Sequence, residues 1–133
     1  IYSKAVLEAK DEKYDNEPVY KDIYTNTISD HLAEKKDKYD AILAGDVFYY
    51  QGNLDNLFAN IRNSLKPGGF FALIVFTGEI TVGYKIDVSK DKFNHSLEYL
   101  EETLEKMGFN VQDKKEKEIG NNTYNIIIAR IKE

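Results

Sequence analysis

Asp40-Ala41-Ile42-Leu43-Ala44-Gly45-Asp46 is a compact apolar run closed by a glycine and an acid. It is polar only at its ends, the pattern of a strand buried on both faces. Gly52-Asn53 follows, and then Leu54, Leu57, Phe58, Ile61 and Leu65. Those spacings draw one apolar face of a helix, with Asn53 as its cap. Lys66-Pro67-Gly68-Gly69 predicts a stop and a tight reversal, because proline cannot continue the helix. Phe70-Phe71-Ala72-Leu73-Ile74-Val75-Phe76 is a second, wholly apolar strand. Two strands joined by a helix form a βαβ unit, so the pair should be parallel, with a right-handed crossover.

Downstream, residues 77 to 93 read as an irregular loop over one end of the sheet. Leu97, Leu100, Leu104 and Met107 mark the next helix, which closes with Lys106 and Gly108. Phe109 to Glu118 reads as a strand, Gly120-Asn121-Asn122 as a turn, and Tyr124 to Ile131 as the last strand. These two are joined too tightly for a crossover helix, so they should be antiparallel. Upstream, Ser3 could cap a helix running to about Lys13. Pro18 enforces extended backbone before it, Val19 to Ile23 reads as a short strand, and Asn26 or Thr27 starts a helix through about Glu34. The sum is an α/β sheet protein whose last two strands form an antiparallel pair. Ligands of such open sheets sit beyond the carboxyl ends of the strands, where Asp22-Ile23 and Gly45-Asp46 fall.

The 133 residues suit one domain, and 42% hydrophobic with 31% charged is globular composition. A net charge of -5 argues against a broad electropositive face for duplex nucleic acid. With no cysteine, disulfides and thiol nucleophiles are excluded, and His31 and His95 alone cannot build a usual zinc site. No run is long enough to span a bilayer, and no signal peptide is read in the chain, so a cytoplasmic location is expected.

Several motifs, in order, resemble one family. Tyr39 to Tyr50 looks like the fourth strand of a class I S-adenosylmethionine-dependent methyltransferase. Leu65-Lys66-Pro67-Gly68-Gly69-Phe70-Phe71 is similar to the turn that leads into its fifth strand, and Gly108-Phe109-Asn110-Val111 to the lead into its sixth. Ile1 through Ala9 resembles the segment after the ribose-binding acid, and Tyr20-Lys21-Asp22-Ile23 the third strand with its adenine-contacting acid. Lys92 to Leu100, with His95-Ser96 and Tyr99 inside it, is similar to a segment of methyltransferases often fused to tetratricopeptide repeats. The resemblance implies a Rossmann-like sheet with a reversed last strand, S-adenosylmethionine as cofactor, an unidentified small-molecule or protein methyl acceptor, and a tetratricopeptide region elsewhere in the full-length protein. One departure is plain. The family's domains begin with a strand, a glycine-rich turn, a helix and a second strand, and no G-x-G-x-G sequence exists here. Residues 1–133 are therefore expected to form a single partial methyltransferase domain, inactive alone, with its first strands upstream. The alternative is a non-catalytic methyltransferase-like scaffold or partner-binding module. A Rossmann oxidoreductase is disfavoured, because its sheet continues in parallel.

By the same resemblance Asp22 would accept a hydrogen bond from the adenine amino group, and Ile23 would pack on the adenine face. An ordinary turn acid and a core residue are the other readings. Gly45 and Asp46 would line the methionine end of the cofactor, where a glycine lets backbone come close. Asp46 otherwise reads as a helix cap. One of Tyr49 and Tyr50 would shape the substrate or sulfonium pocket, since an aromatic face attracts a sulfonium, with Tyr49 the cofactor-binding candidate; rim packing is the other reading. Asp46, Tyr50 and His95 are the catalytic candidates, His95 because its pKa lies near neutrality. His31 reads as surface, and no metal ligand set is expected. Methyl transfer needs little covalent help, since the enzyme mainly aligns nucleophile and methyl.

Overall fold

The computed structural model describes residues 4–77 and 82–132, of Val6 the backbone alone. The βαβ unit forms. Strand β3 spans Tyr39–Gly45, helix α3 Asp55–Ser64 and strand β4 Leu65–Phe76. Before them come α1 (Lys4–Asp11), the two-residue strands β1 (Lys13–Tyr14) and β2 (Glu17–Pro18), and α2 (Ile28–Leu32). After them come β5 (Tyr84–Asp87), β6 (Lys92–His95), α4 (Leu97–Lys106), β7 (Phe109–Ile119) and β8 (Asn122–Ile131). The main sheet has the order β3-β4-β8-β7. β3 and β4 run parallel, with Ile42 opposite Phe71 and Ala44 opposite Leu73. β8 runs antiparallel to both β4 and β7, as the short Gly120-Asn121 turn demands.

Alternation along the strands decides which side is dry. Phe71, Leu73, Ile127 and Ala129 point to the helical side and are fully buried. Leu57, Phe58 and Ile61 of α3 and Leu100 and Leu104 of α4 close over them. The aromatic centre is edge-packed: the Phe71 ring lies 5.4 Å from Phe58, 5.7 Å from Phe109 and 6.2 Å from Phe48. Such pairs add to simple burial because ring edges and faces carry opposite charge.

Several expectations need correction. β3 is not buried on both faces. It is an edge strand of this sheet, and Leu43 on its other face is 79% exposed, beside Ile74 at 40%. Val19 to Ile23 does not form a strand: no described strand lies next to it, and only the backbone bond from Val19 N to Glu12 O holds its start. The reversal at residues 66–69 is drawn into β4 instead. Pairing jumps from Tyr39–Leu65 to Ala41–Phe70, so the Pro-Gly-Gly stretch bulges and the strand resumes. The loop read over residues 77 to 93 contains the β5–β6 hairpin, in register from Tyr84–His95 to Asp87–Lys92.

The helix ends follow local chemistry. Thr27 caps α2, its hydroxyl accepting from Asp30 N at 3.1 Å, and α2 stops at Leu32, short of Glu34. Asn53 Oδ1 accepts from Asp55 N at 2.9 Å at the start of α3. Ser96 caps α4 by accepting from Tyr99 N. α1 ends at Asp11, and its expected cap Ser3 lies outside the described residues.

Candidate functional site

The carboxyl ends of β3 and β4 lie together, the position where open α/β sheets take ligands. β3 ends at Gly45, and a Cβ built there would meet nothing within 4 Å. Its backbone is open to close approach. Asp46 follows with φ +50, a left-handed conformation that aspartate tolerates better than most residues. Its own N–H donates to Ile74 O at 2.8 Å, which fixes the turn against β4. No described residue donates to its carboxylate. Phe48 then plunges into the core, so the chain leaving the site is anchored at once.

The β5–β6 hairpin forms the opposite wall. A cavity of about 140 Å³ lies between them, with Asp46, Tyr49, Lys92, His95 and Tyr124 among its lining residues. Phe93 N donates to Tyr49 O at 2.6 Å, which ties the hairpin to the loop after β3. Lys92 Nζ stands 4.5 Å over the Tyr49 ring, so this chain already places a cation on that aromatic face. The Tyr49 and Tyr50 rings meet edge to face at 6.1 Å. Burial, and then the neighbouring Tyr49, push the Tyr50 phenol up from its ordinary value.

His95 is 3% exposed. Its Nε2 donates to Gln51 O at 2.8 Å and to Gly52 O at 2.9 Å. Both partners are carbonyls and can only accept, so Nε2 carries the hydrogen and the neutral ring keeps its lone pair on Nδ1. The ring stacks on Tyr99, whose hydroxyl accepts from Leu54 N at 2.9 Å. His95 and Tyr99 together fasten residues 51–54 to the start of α4. Burial holds the His95 pKa below its ordinary 6.5, against the two carbonyl contacts that raise it. The neutral ring is thus the native form. An unfolded chain takes up this proton below about pH 6.5 while the folded chain resists it, so His95 contributes stability above that pH and loses it as pH falls. A His95→Gln variant should show a shallower drop of melting temperature between pH 7 and pH 5 than the natural chain, read by circular dichroism.

The structure brings Gly45, Asp46, Tyr49 and His95 to one end of the sheet. It does not bring Asp22 and Ile23 there. They line a separate depression with Pro18, Val19 and Lys10. Tyr50 is not among the residues of the cavity wall and is half-exposed beside Tyr49. His31 lies elsewhere, its Nε2 3.0 Å from the Tyr39 hydroxyl. Sequence reasoning missed Lys92 and Tyr124 as wall residues. The alternation Tyr84, Ile86 and then Phe93, His95 around a polar turn was the available signal for the hairpin. Among the described residues no three acids or histidines gather as a metal site, and no helix is long and apolar enough to cross a membrane.

A sheet with one parallel crossover, a reversed final hairpin and a cavity at the carboxyl ends of its strands is the class I methyltransferase architecture. The comparisons agree. A model of the methyltransferase domain family matches residues 2–73, more than half of the chain, and the chain belongs to that family. The fold is similar to that of the 1,6-didemethyltoxoflavin-N1-methyltransferase of Burkholderia thailandensis, solved with S-adenosylhomocysteine (TM-score 0.66, 18% identity, 77% of this chain and 48% of that one). It is also similar to a SAM-dependent methyltransferase of Methanosarcina mazei (TM-score 0.64, 15% identity, 80% of this chain and 65% of that one). A hybrid PKS-NRPS synthetase of Penicillium oxalicum is 50% identical over 48 residues, which is 35% of this chain and 1% of the synthetase. The chain thus spans about half of the Burkholderia enzyme and a small piece of the synthetase.

Proposed function

We propose that this chain is the carboxyl-terminal part of an S-adenosylmethionine-dependent methyltransferase domain, and that it supplies the methionine side of the cofactor site and the wall of the acceptor site. One observation carries the reading. At the end of β3 an open glycine backbone, Gly45, leads directly into Asp46, whose carboxylate has no partner among the described residues and lines the cavity beneath the β5–β6 hairpin. The family match and the bound product in the Burkholderia enzyme support the choice of cofactor.

The cofactor would bring a methyl group already activated on sulfur. This chain's residues then bind and orient. Gly45 permits close backbone approach, and Asp46 accepts from an ammonium group. The hairpin keeps water from the reacting end, and the His95–Tyr99 clamp holds the loop at residues 51–54 in place. His95 acts here by positioning. The adenine side falls to Asp22 and Ile23 only if the depression they line is carried toward Gly45. That in turn needs strands between them and β3, whose outer edge no described strand pairs. The exposed Leu43 and Ile74 mark the sheet face those strands would help to close.

The non-catalytic reading has one observation in its favour, the separation of Asp22 and Ile23 from Asp46. Asp46→Asn separates the two readings. Asparagine accepts the left-handed backbone, so the fold stays while the charge goes. S-adenosylhomocysteine binding by the natural gene product should weaken at least about tenfold, the worth of one charge-assisted hydrogen bond. Unchanged affinity in calorimetry would remove Asp46 from the site.

A further inference from the structure

We propose a second ligand site at the opposite end of the sheet, one that binds a phosphate group and does not depend on the methyltransferase reading. A cavity of about 220 Å³ opens below the amino ends of β3 and β4. Lys36 comes to it from the loop after α2, Arg62 from the last turn of α3, and Lys132 from the residue after β8. Asp37 is the one acid among the described residues of its wall. A local excess of two positive charges thus gathers in a chain whose net charge is -5. A phosphate at neutral pH carries nearly the matching charge.

Arg62 is the centre of the argument. It is half-buried and lies against Gly108, where a Cβ would collide with its Nε and sit 2.9 Å from its Cδ. Gly108 has φ +94, so the same glycine both ends α4 and makes room for the arginine stem. The arginine stem is therefore packed against the Gly108 backbone. Yet neither Arg62 nor Lys36 pairs with a carboxylate among the described residues. Lys132 has only Glu105 at 3.6 Å, and the Glu105 side chain is 76% exposed. Lys106, by contrast, meets Asp55 and Lys114 meets Glu101, each at 2.6 Å. A guanidinium fork flanked by two ammonium groups is chemistry suited to an oxyanion with several acceptor oxygens. The phosphate could be free or borne by a larger molecule as a monoester.

The test is a titration of the full chain with inorganic phosphate at constant ionic strength, followed by NMR at the Arg62 side chain and the Gly108 amide. A saturable shift is expected. Arg62→Gln should weaken it at least about tenfold and Lys36→Gln about threefold, while Lys117→Gln on the β7–β8 hairpin leaves it unchanged. Glycerol phosphate is the second arm: tighter binding than inorganic phosphate assigns the site to a monoester, weaker binding to the free ion. Lys36 is exposed, so its variant keeps the test decisive if the Arg62 variant fails to fold. No saturable shift, an equal shift with sodium chloride, or unaltered binding in the Lys36 variant would overturn the proposal.

Discussion

Phe71→Ala should lower stability by about 3–5 kcal/mol, the cost of emptying a fully enclosed aromatic position. Phe71 touches the rings of Phe48, Phe58 and Phe109, which come from the site loop, α3 and β7. One truncation therefore loosens three elements at once. Single domains hold only about 5–15 kcal/mol in total, so this one truncation removes a large share of the stability. In urea the midpoint should drop by about 2 M at an ordinary slope for this size. A loss below about 1 kcal/mol would mean that these rings are not packed as described.

Gly52→Val should loosen the cavity wall without emptying the core. Gly52 is buried under the β5–β6 hairpin, and a Cβ there would lie 2.6 Å and 2.8 Å from the Tyr84 ring and 3.0 Å from the Phe93 ring. A branched side chain must push both rings away. Tyr84 would then leave Tyr99, now 5.2 Å away, and His95, 6.1 Å away. Overpacking of this kind costs about 1–3 kcal/mol. The local sign is hydrogen exchange: the Phe93 amide, now bonded to Tyr49 O, should lose protection while the Ile127 amide in the sheet centre keeps it. Gly52→Ala should do less, because the half-exposed Tyr84 can swing outward. Equal protection at Phe93 in the valine variant would show that the hairpin does not depend on this contact.

How much of this was legible depends on where each residue's partners lie. The run from Asp40 to Asp46 and the run from Phe70 to Phe76 announce themselves by being apolar almost throughout, although only the second lies inside the described sheet and β3 stands at its edge. The final hairpin is legible for a different reason: a two-residue link leaves no room for a crossover. Val19 to Ile23 has strand composition but no described neighbour to pair with, and backbone groups without a ladder stay irregular. The β5–β6 hairpin was hidden because its strands are four residues each and β5 is mostly exposed. Gly45 and Asp46 could be picked out as a glycine and an acid closing an apolar run. Lys92 and Tyr124 could not, since docking of the hairpin brings Lys92, and pairing of β8 with β4 brings Tyr124, to the same wall. His95 illustrates the limit most clearly. Its sequence neighbourhood offers either a catalytic group or a helix-start hydrogen bond to backbone, and only the fold shows that its Nε2 is engaged by Gln51 O and Gly52 O.

We propose that these residues complete a methyl-donor site, the outer edge of β3 being paired by no described strand. Calorimetric titration of S-adenosylmethionine into the natural gene product, with the isolated 133-residue chain beside it, tests that claim most directly. The account predicts saturable one-site binding to the gene product and none to the isolated chain. No binding to the gene product would contradict it, and would leave Asp22 and Asp46 as ordinary loop acids on a scaffold.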